Sequence, residues 1–125
     1  YLRVADIYLD NEKPFVYAHH SLKEVIMEIT KKRLGVAAVV NEDNELIGII
    51  TDGDLRRMLE KNSDIENFSA ADIMTQTPKT IEAGELAVSA LDLMRKSSIT
   101  QLVVVEGKNY LGIIHIHDLL KEGLI

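Results

Sequence analysis

The apolar residues of this chain fall into two kinds of short run, with two different periods. "GVAAVV" and "LIGII" are rich in β-branched residues and are separated by the polar stretch "NEDNE". Two such runs around a polar turn predict a hairpin. The same figure returns at "QLVVV" and "YLGII" around "EGKN". Ahead of each hairpin the spacing changes to the helical one. Leu22, Val25, Ile26 and Ile29 fall on one helical face, and Leu86, Ala90, Leu91 and Met94 do the same. Ser21 with Glu24 three residues later has the form of a capping box. Phe15 to Tyr17, just after Pro14, reads as a short extended piece. A helix is predicted after each Gly-Ile-Ile, from Asp54 to Lys61 and from Asp118 to Glu122. Ser69 is placed to cap a short helix between the two halves.

The order strand, helix, strand, strand, helix therefore occurs twice. "VVNEDNELIGIITDGDL" at Val39 is answered by "VVEGKNYLGIIHIHDL" at Val104. "KPFVYAHHSLKEVI" is answered by "TPKTIEAGELAVSA", and "VADI" at Val4 by "AADI" at Ala70. A repeat of about 60 residues accounts for nearly the whole chain. The expected division is 1–62 for the first repeat, 63–69 for a linker and 70–125 for the second. One such unit leaves too much of its sheet uncovered to stand alone. The expected fold is α+β: two β-α-β-β-α repeats packed sheet to sheet, with pseudo-two-fold symmetry and two equivalent clefts.

Composition narrows the function. The net charge is −6 and Trp is absent, which argues against a nucleic-acid partner. A small phosphorylated ligand needs only local positive charge and backbone N–H groups, so it stays open. Without Cys there are no disulfides, thiolate chemistry or Cys-based zinc sites, in keeping with a cytoplasmic protein. No apolar run is long enough for a membrane helix. The chain starts at Tyr1 and not at Met, which suggests a piece of a longer protein whose catalytic part lies elsewhere.

The chemistry concentrates at "GIITDGDL". As a calcium loop it fails: counted from Asp52, the twelfth position is Ser63 and the alternating positions include Arg56 and Met58. As a catalytic carboxylate pair, Asp52 and Asp54 lack a partner nucleophile or base. A cradle for a sugar-phosphate has a mechanism. Thr51 ends a strand with a hydroxyl that donates and accepts, and Asp54 at the helix start can accept ribose hydroxyls. The helix end adds positive potential for phosphate. Asp54 and Asp118 as simple helix caps remain the alternative. Arg56 and Arg57 read either as phosphate ligands or as a solvated face. His115 and His117, with His19 and His20, raise a metal site but bring no matching carboxylates, so lining of the second cleft is the expectation for the first two.

These residues carry a resemblance. "GIITDGDL" and "GIIHIHDL", each between a hairpin and a helix, resemble the motif of cystathionine-β-synthase (CBS) domains, here as a tandem pair. Thr51, Asp54 and Asp118 match that motif, whereas His115 stands where the family has Ser or Thr. The pair looks most like the C-terminal CBS pair of arabinose-5-phosphate isomerases of the Kdo (lipopolysaccharide sugar) pathway. The resemblance implies a regulatory module with no catalytic residues and no required cofactor, attached to an N-terminal sugar-isomerase (SIS) domain and forming a homodimer of CBS pairs. It implies a nucleotide effector, AMP or ATP, or a cytidine-linked sugar such as CMP-Kdo. The implied contacts are Thr51, Asp52, Asp54 and Arg56 at the first corner, His115, His117 and Asp118 at the second, and Val16, Val36, Ala37, Thr80, Thr100 and Gln101 around the base. The competing expectation is a structural dimerisation module that binds nothing.

Overall fold

Each Gly-Ile-Ile run forms the last strand of a three-stranded sheet, and each sheet belongs to a separate compact unit. A computed structural model describes residues 1–125. In the first unit, Pro14–Pro78, the order is β1 (Phe15–Tyr17), α1 (Leu22–Lys32), β2 (Val36–Val40), β3 (Leu46–Thr51), α2 (Asp52–Lys61) and α3 (Ala70–Ile73). The second unit joins Tyr1–Lys13 to Lys79–Ile125 and holds β4 (Thr80–Glu82), α4 (Ala87–Ser97), β5 (Gln101–Glu106), β6 (Asn109–His115) and α5 (Ile116–Lys121). The strand-helix-strand-strand-helix order thus occurs once per unit. The architecture is α+β.

Both sheets share one register plan. β1 pairs parallel with β2, which pairs antiparallel with β3; β4, β5 and β6 repeat this. Each hairpin slips register at the same place, between Val39 and Val40 and between Val104 and Val105. All five residues of β2 are buried, so it reads as a continuous apolar run and not as an alternation. Its Ala37 and Val39 join Val16, Leu22, Val25, Ile29, Ile50, Leu55 and Met58 in the core under the helices. Ser21 caps α1 as its sequence predicts: its Oγ accepts the Glu24 N–H at 3.2 Å. In the second unit Leu86 stands at the N-cap position of α4, without a side-chain cap bond, instead of lying within the helix, and the core gathers Ile81, Ala90, Leu91, Met94, Leu102, Val104, Ile114 and Leu119.

The compact units cut the chain differently from the sequence repeats. "VADI" is buried against the second repeat, where Val4 and Ile7 enter its core, and the Val4 and Ala5 N–H groups donate to the carbonyls of Glu85 and Ala83 at 2.9 Å each. "AADI" folds onto the first repeat, where Ala70 is fully buried. The segment expected to be a linker, 63–69, contains a 3-10 turn at Ile65–Asn67, and Ile65 and Phe68 pack on the first core.

Candidate functional site

Thr51 is the last residue of β3 and also the N-cap of α2, so strand and helix meet with no loop between them. Its Oγ1 accepts the Asp54 N–H at 3.2 Å, and Asp54 Oδ2 accepts the Thr51 N–H at 2.9 Å. This reciprocal pair is a capping box with Asp in the third helical position. The helix therefore opens at Asp52, two residues before the start expected from sequence, and Asp54 lies inside its first turn. The intervening Asp52 N–H donates to the Gly35 carbonyl at 3.0 Å, which ties the corner to the loop before β2.

The guanidinium at this corner belongs to Arg57. Its Nη2 donates to Asp54 Oδ1 at 2.7 Å, and a Cβ on Gly53 would lie 3.2 Å from its Nη1. Arg56 and Asp52 are exposed. Helical spacing contains the signal for Arg57, since residues three apart share a face. A hydroxyl, a carboxylate and a guanidinium thus converge within one helical turn. The Asp54 side chain is 17% exposed and that of Arg57 62%, so the pair can open to water.

Val36 pairs with Thr51 across the ladder, which brings its backbone and that of Ala37 beside the corner. The side chains of Val16 and Ala37 belong to the core, and Val16 pairs with Val39, further along the ladder. All three are buried, Val36 and Ala37 with no exposed surface, so none of them presents a group to a ligand here.

The second corner repeats the plan with other atoms. His115 is the N-cap of α5, and Asp118 Oδ2 accepts its N–H at 2.7 Å. Where Thr51 uses a hydroxyl, His115 uses Nδ1, which accepts the His117 N–H at 3.1 Å. An accepting Nδ1 carries no proton, so the ring is neutral and protonated at Nε2. The pKa of His115 is lowered, first by burial and then by the neighbouring His117, against a smaller raising effect of Asp118. The Ile116 N–H donates to the Thr100 carbonyl at 2.8 Å, the counterpart of the Asp52 bond to Gly35. Gln101 pairs with His115 in the ladder, and Thr100 Oγ1 donates to Gln101 Oε1 at 3.2 Å. Thr80 is exposed and pairs with Val103, two positions further along the strand than Gln101.

One participant has no counterpart in the sequence motif. Asn11 Nδ2 donates to Asp118 Oδ2 at 2.7 Å and to the Ile113 carbonyl at 2.9 Å. The other two histidines are engaged locally. His20 Nδ1 accepts the Tyr17 N–H at 3.0 Å, and the His19 ring lies parallel to Tyr17. No group of three or more His, Cys, Asp or Glu side chains is arranged to hold a metal ion. No helix is long and apolar enough to cross a membrane.

Comparison with known proteins gives this geometry a context. Over 125 residues the chain is 41% identical to arabinose 5-phosphate isomerase KdsD of Salmonella typhi and 40% identical to that of Escherichia coli. In both cases the match takes in 99% of this chain and 38% of the relative, so the chain spans well under half the length of these isomerases. Among solved structures, a CBS domain protein of Pyrobaculum aerophilum complexed with AMP superposes with a TM-score of 0.83. The match covers 94% of this chain and 90% of that one at 23% identity, which speaks to the fold. The CBS domain model matches residues 4–61 and again 70–124. The chain belongs to the CBS domain family, as two such domains in tandem.

Proposed function

We propose that this CBS pair is the regulatory part of a cytoplasmic arabinose-5-phosphate isomerase and that it binds a nucleotide at the corner formed by Thr51, Asp54 and Arg57. The observation that carries the reading is the convergence of a hydroxyl, a carboxylate and a guanidinium in the first turn of α2. Each oxygen of a carboxylate has two acceptor positions, so Asp54 keeps capacity for ribose hydroxyls while it holds the Thr51 N–H. Arg57 is exposed and swings from Asp54 to a phosphate at little cost. The loop at Gly35, tied to the corner through the Asp52 N–H, lies alongside for the base.

AMP in the Pyrobaculum protein supports an adenine nucleotide. The isomerase relatives support an attached SIS domain and bring in CMP-Kdo, a downstream product of that pathway, as the cytidine candidate. Regulation then requires that the nucleotide bind one state of the whole enzyme more tightly than another. Large apolar side chains exposed on four helices, Met27, Leu59, Val88 and Leu120, support a homodimer of pairs.

A module that only dimerises is the second reading. It is favoured by the internal satisfaction of both aspartates, each already accepting hydrogen bonds. Calorimetry with AMP, ATP and CMP-Kdo separates the two. Saturable heat that disappears in Asp54→Ala supports the nucleotide site; absence of heat and of thermal shift with all three leaves dimerisation.

A further inference from the structure

The two corners differ most in what the returning chain segment does to them. In the first unit the hydrogen bonds of the segment after "AADI" are backbone to backbone: the Thr75 N–H donates to the Ile49 carbonyl at 2.8 Å, and the Ile49 N–H donates to the Thr75 carbonyl at 3.0 Å. Ile113 matches Ile49 in the second copy, and there the partner is a side chain. Asn11 Nδ2 takes the Ile113 carbonyl at 2.9 Å and with its other hydrogen reaches Asp118 Oδ2 at 2.7 Å. The sequence accounts for the change, because "YLDNEK" stands between "VADI" and Pro14 where the other copy has the shorter "MTQT" before Pro78.

This contact falls on the carboxylate that corresponds to Asp54. Asp118 Oδ2 then accepts two short bonds, from His115 N–H at 2.7 Å and from Asn11 at 2.7 Å. A hydroxyl competing for that oxygen would have to dislodge an amide that also satisfies a strand carbonyl, leaving both acceptors to be paired again. The corner has also lost its hydroxyl, since His115 replaces the threonine and its Nδ1 is engaged by His117.

We propose that Asn11 is an internal latch that holds the 8–13 segment on the second corner and fills Asp118 Oδ2, and that with the capping hydroxyl also lost there the pair takes one nucleotide per chain, at Asp54. The single stoichiometry rests on the nucleotide reading of the first corner; the latch does not. Two measurements on the full chain test them separately. Titration with AMP is expected to give one equivalent per chain, unchanged in Asp118→Asn and abolished in Asp54→Ala. Two equivalents in the unaltered protein, or binding that survives Asp54→Ala and disappears in Asp118→Asn, overturns the proposal. Hydrogen exchange in Asn11→Ala is expected to speed up in the 8–13 segment by tenfold or more, with the 83–87 amides unaffected. Unchanged exchange in 8–13 removes the latch whatever AMP does. Absence of AMP binding together with faster exchange removes the nucleotide reading and keeps the latch.

Discussion

The ring of Tyr8 lies where a side chain at Gly112 would begin: a Cβ there would come within 2.9 Å of Tyr8 Cδ2. The first unit has the same arrangement, with Met74 over Gly48 at 2.6 Å from its Sδ and the Thr75 carbonyl oxygen at 3.0 Å. The glycine of each Gly-Ile-Ile run is therefore needed for close approach by the returning segment and not for a special backbone angle. Gly112→Ala and Gly48→Ala are each expected to lower stability by about 1–3 kcal/mol, the usual range for overpacking. Gly84 has no atom within 4 Å of its Cβ position, so Gly84→Ala serves as the control and is expected to change stability by less than about 0.5 kcal/mol. Urea unfolding of the three variants checks this; equal midpoints would mean that Tyr8 and Met74 move aside freely.

Asp54 has a structural role and a proposed ligand role, and the two can be measured apart. Removing its carboxylate leaves the Thr51 N–H without its partner, so Asp54→Ala is expected to cost about 1 kcal/mol of stability. Arg57→Ala removes only an exposed pair three residues apart and is expected to cost less than about 0.5 kcal/mol. For nucleotide affinity, both variants are expected to fall well below the unaltered chain. Thermal unfolding with and without AMP tests this, and an Arg57→Ala protein that binds normally would take the guanidinium out of the site.

The elements were legible because hydrophobic period and caps agree locally. Ser21 with Glu24 and the two hairpins appear where the sequence places them, whereas α2 opens at Asp52 with Thr51 as its cap, ahead of the start expected at Asp54. The partnership of "VADI" was not legible. Val4 and Ile7 announce a buried face, but both repeats offer an apolar cluster, and a local pattern does not say which one receives it. Asn11 was hidden for the same reason: its partners Ile113 and Asp118 are remote in sequence and nothing near Asn11 points to them. Arg57 was legible in principle from its place one helical turn after Asp54.

The proposed self-association has a specific handle in the first unit. Met27 on α1 is 60% exposed and Leu59 on α2 is 44% exposed, and neither belongs to the core cluster beneath them. Met27→Lys with Leu59→Lys is expected to shift the chain from dimer to monomer in sedimentation velocity, with the circular dichroism spectrum unchanged. A mass that stays dimeric would place the contact on other helices.

The neutral ring of His115 makes the second unit sensitive to acid. In the unfolded chain the ring titrates near 6.5; in the folded protein its pKa is lower, because burial and His117 together outweigh Asp118. Between those two values the unfolded state binds more protons, so stability rises with pH across that window. The contribution is complete above about pH 6.5 and is lost as pH falls toward the folded-state value. Protonation also turns Nδ1 from acceptor to donor and ends its bond with the His117 N–H. His115→Thr restores a capping hydroxyl of the kind seen at Thr51 and has nothing to titrate. Urea midpoints from pH 5 to 8 are expected to slope in the unaltered chain and to flatten through this window in His115→Thr. Equal slopes in the two proteins would assign the acid sensitivity to other groups.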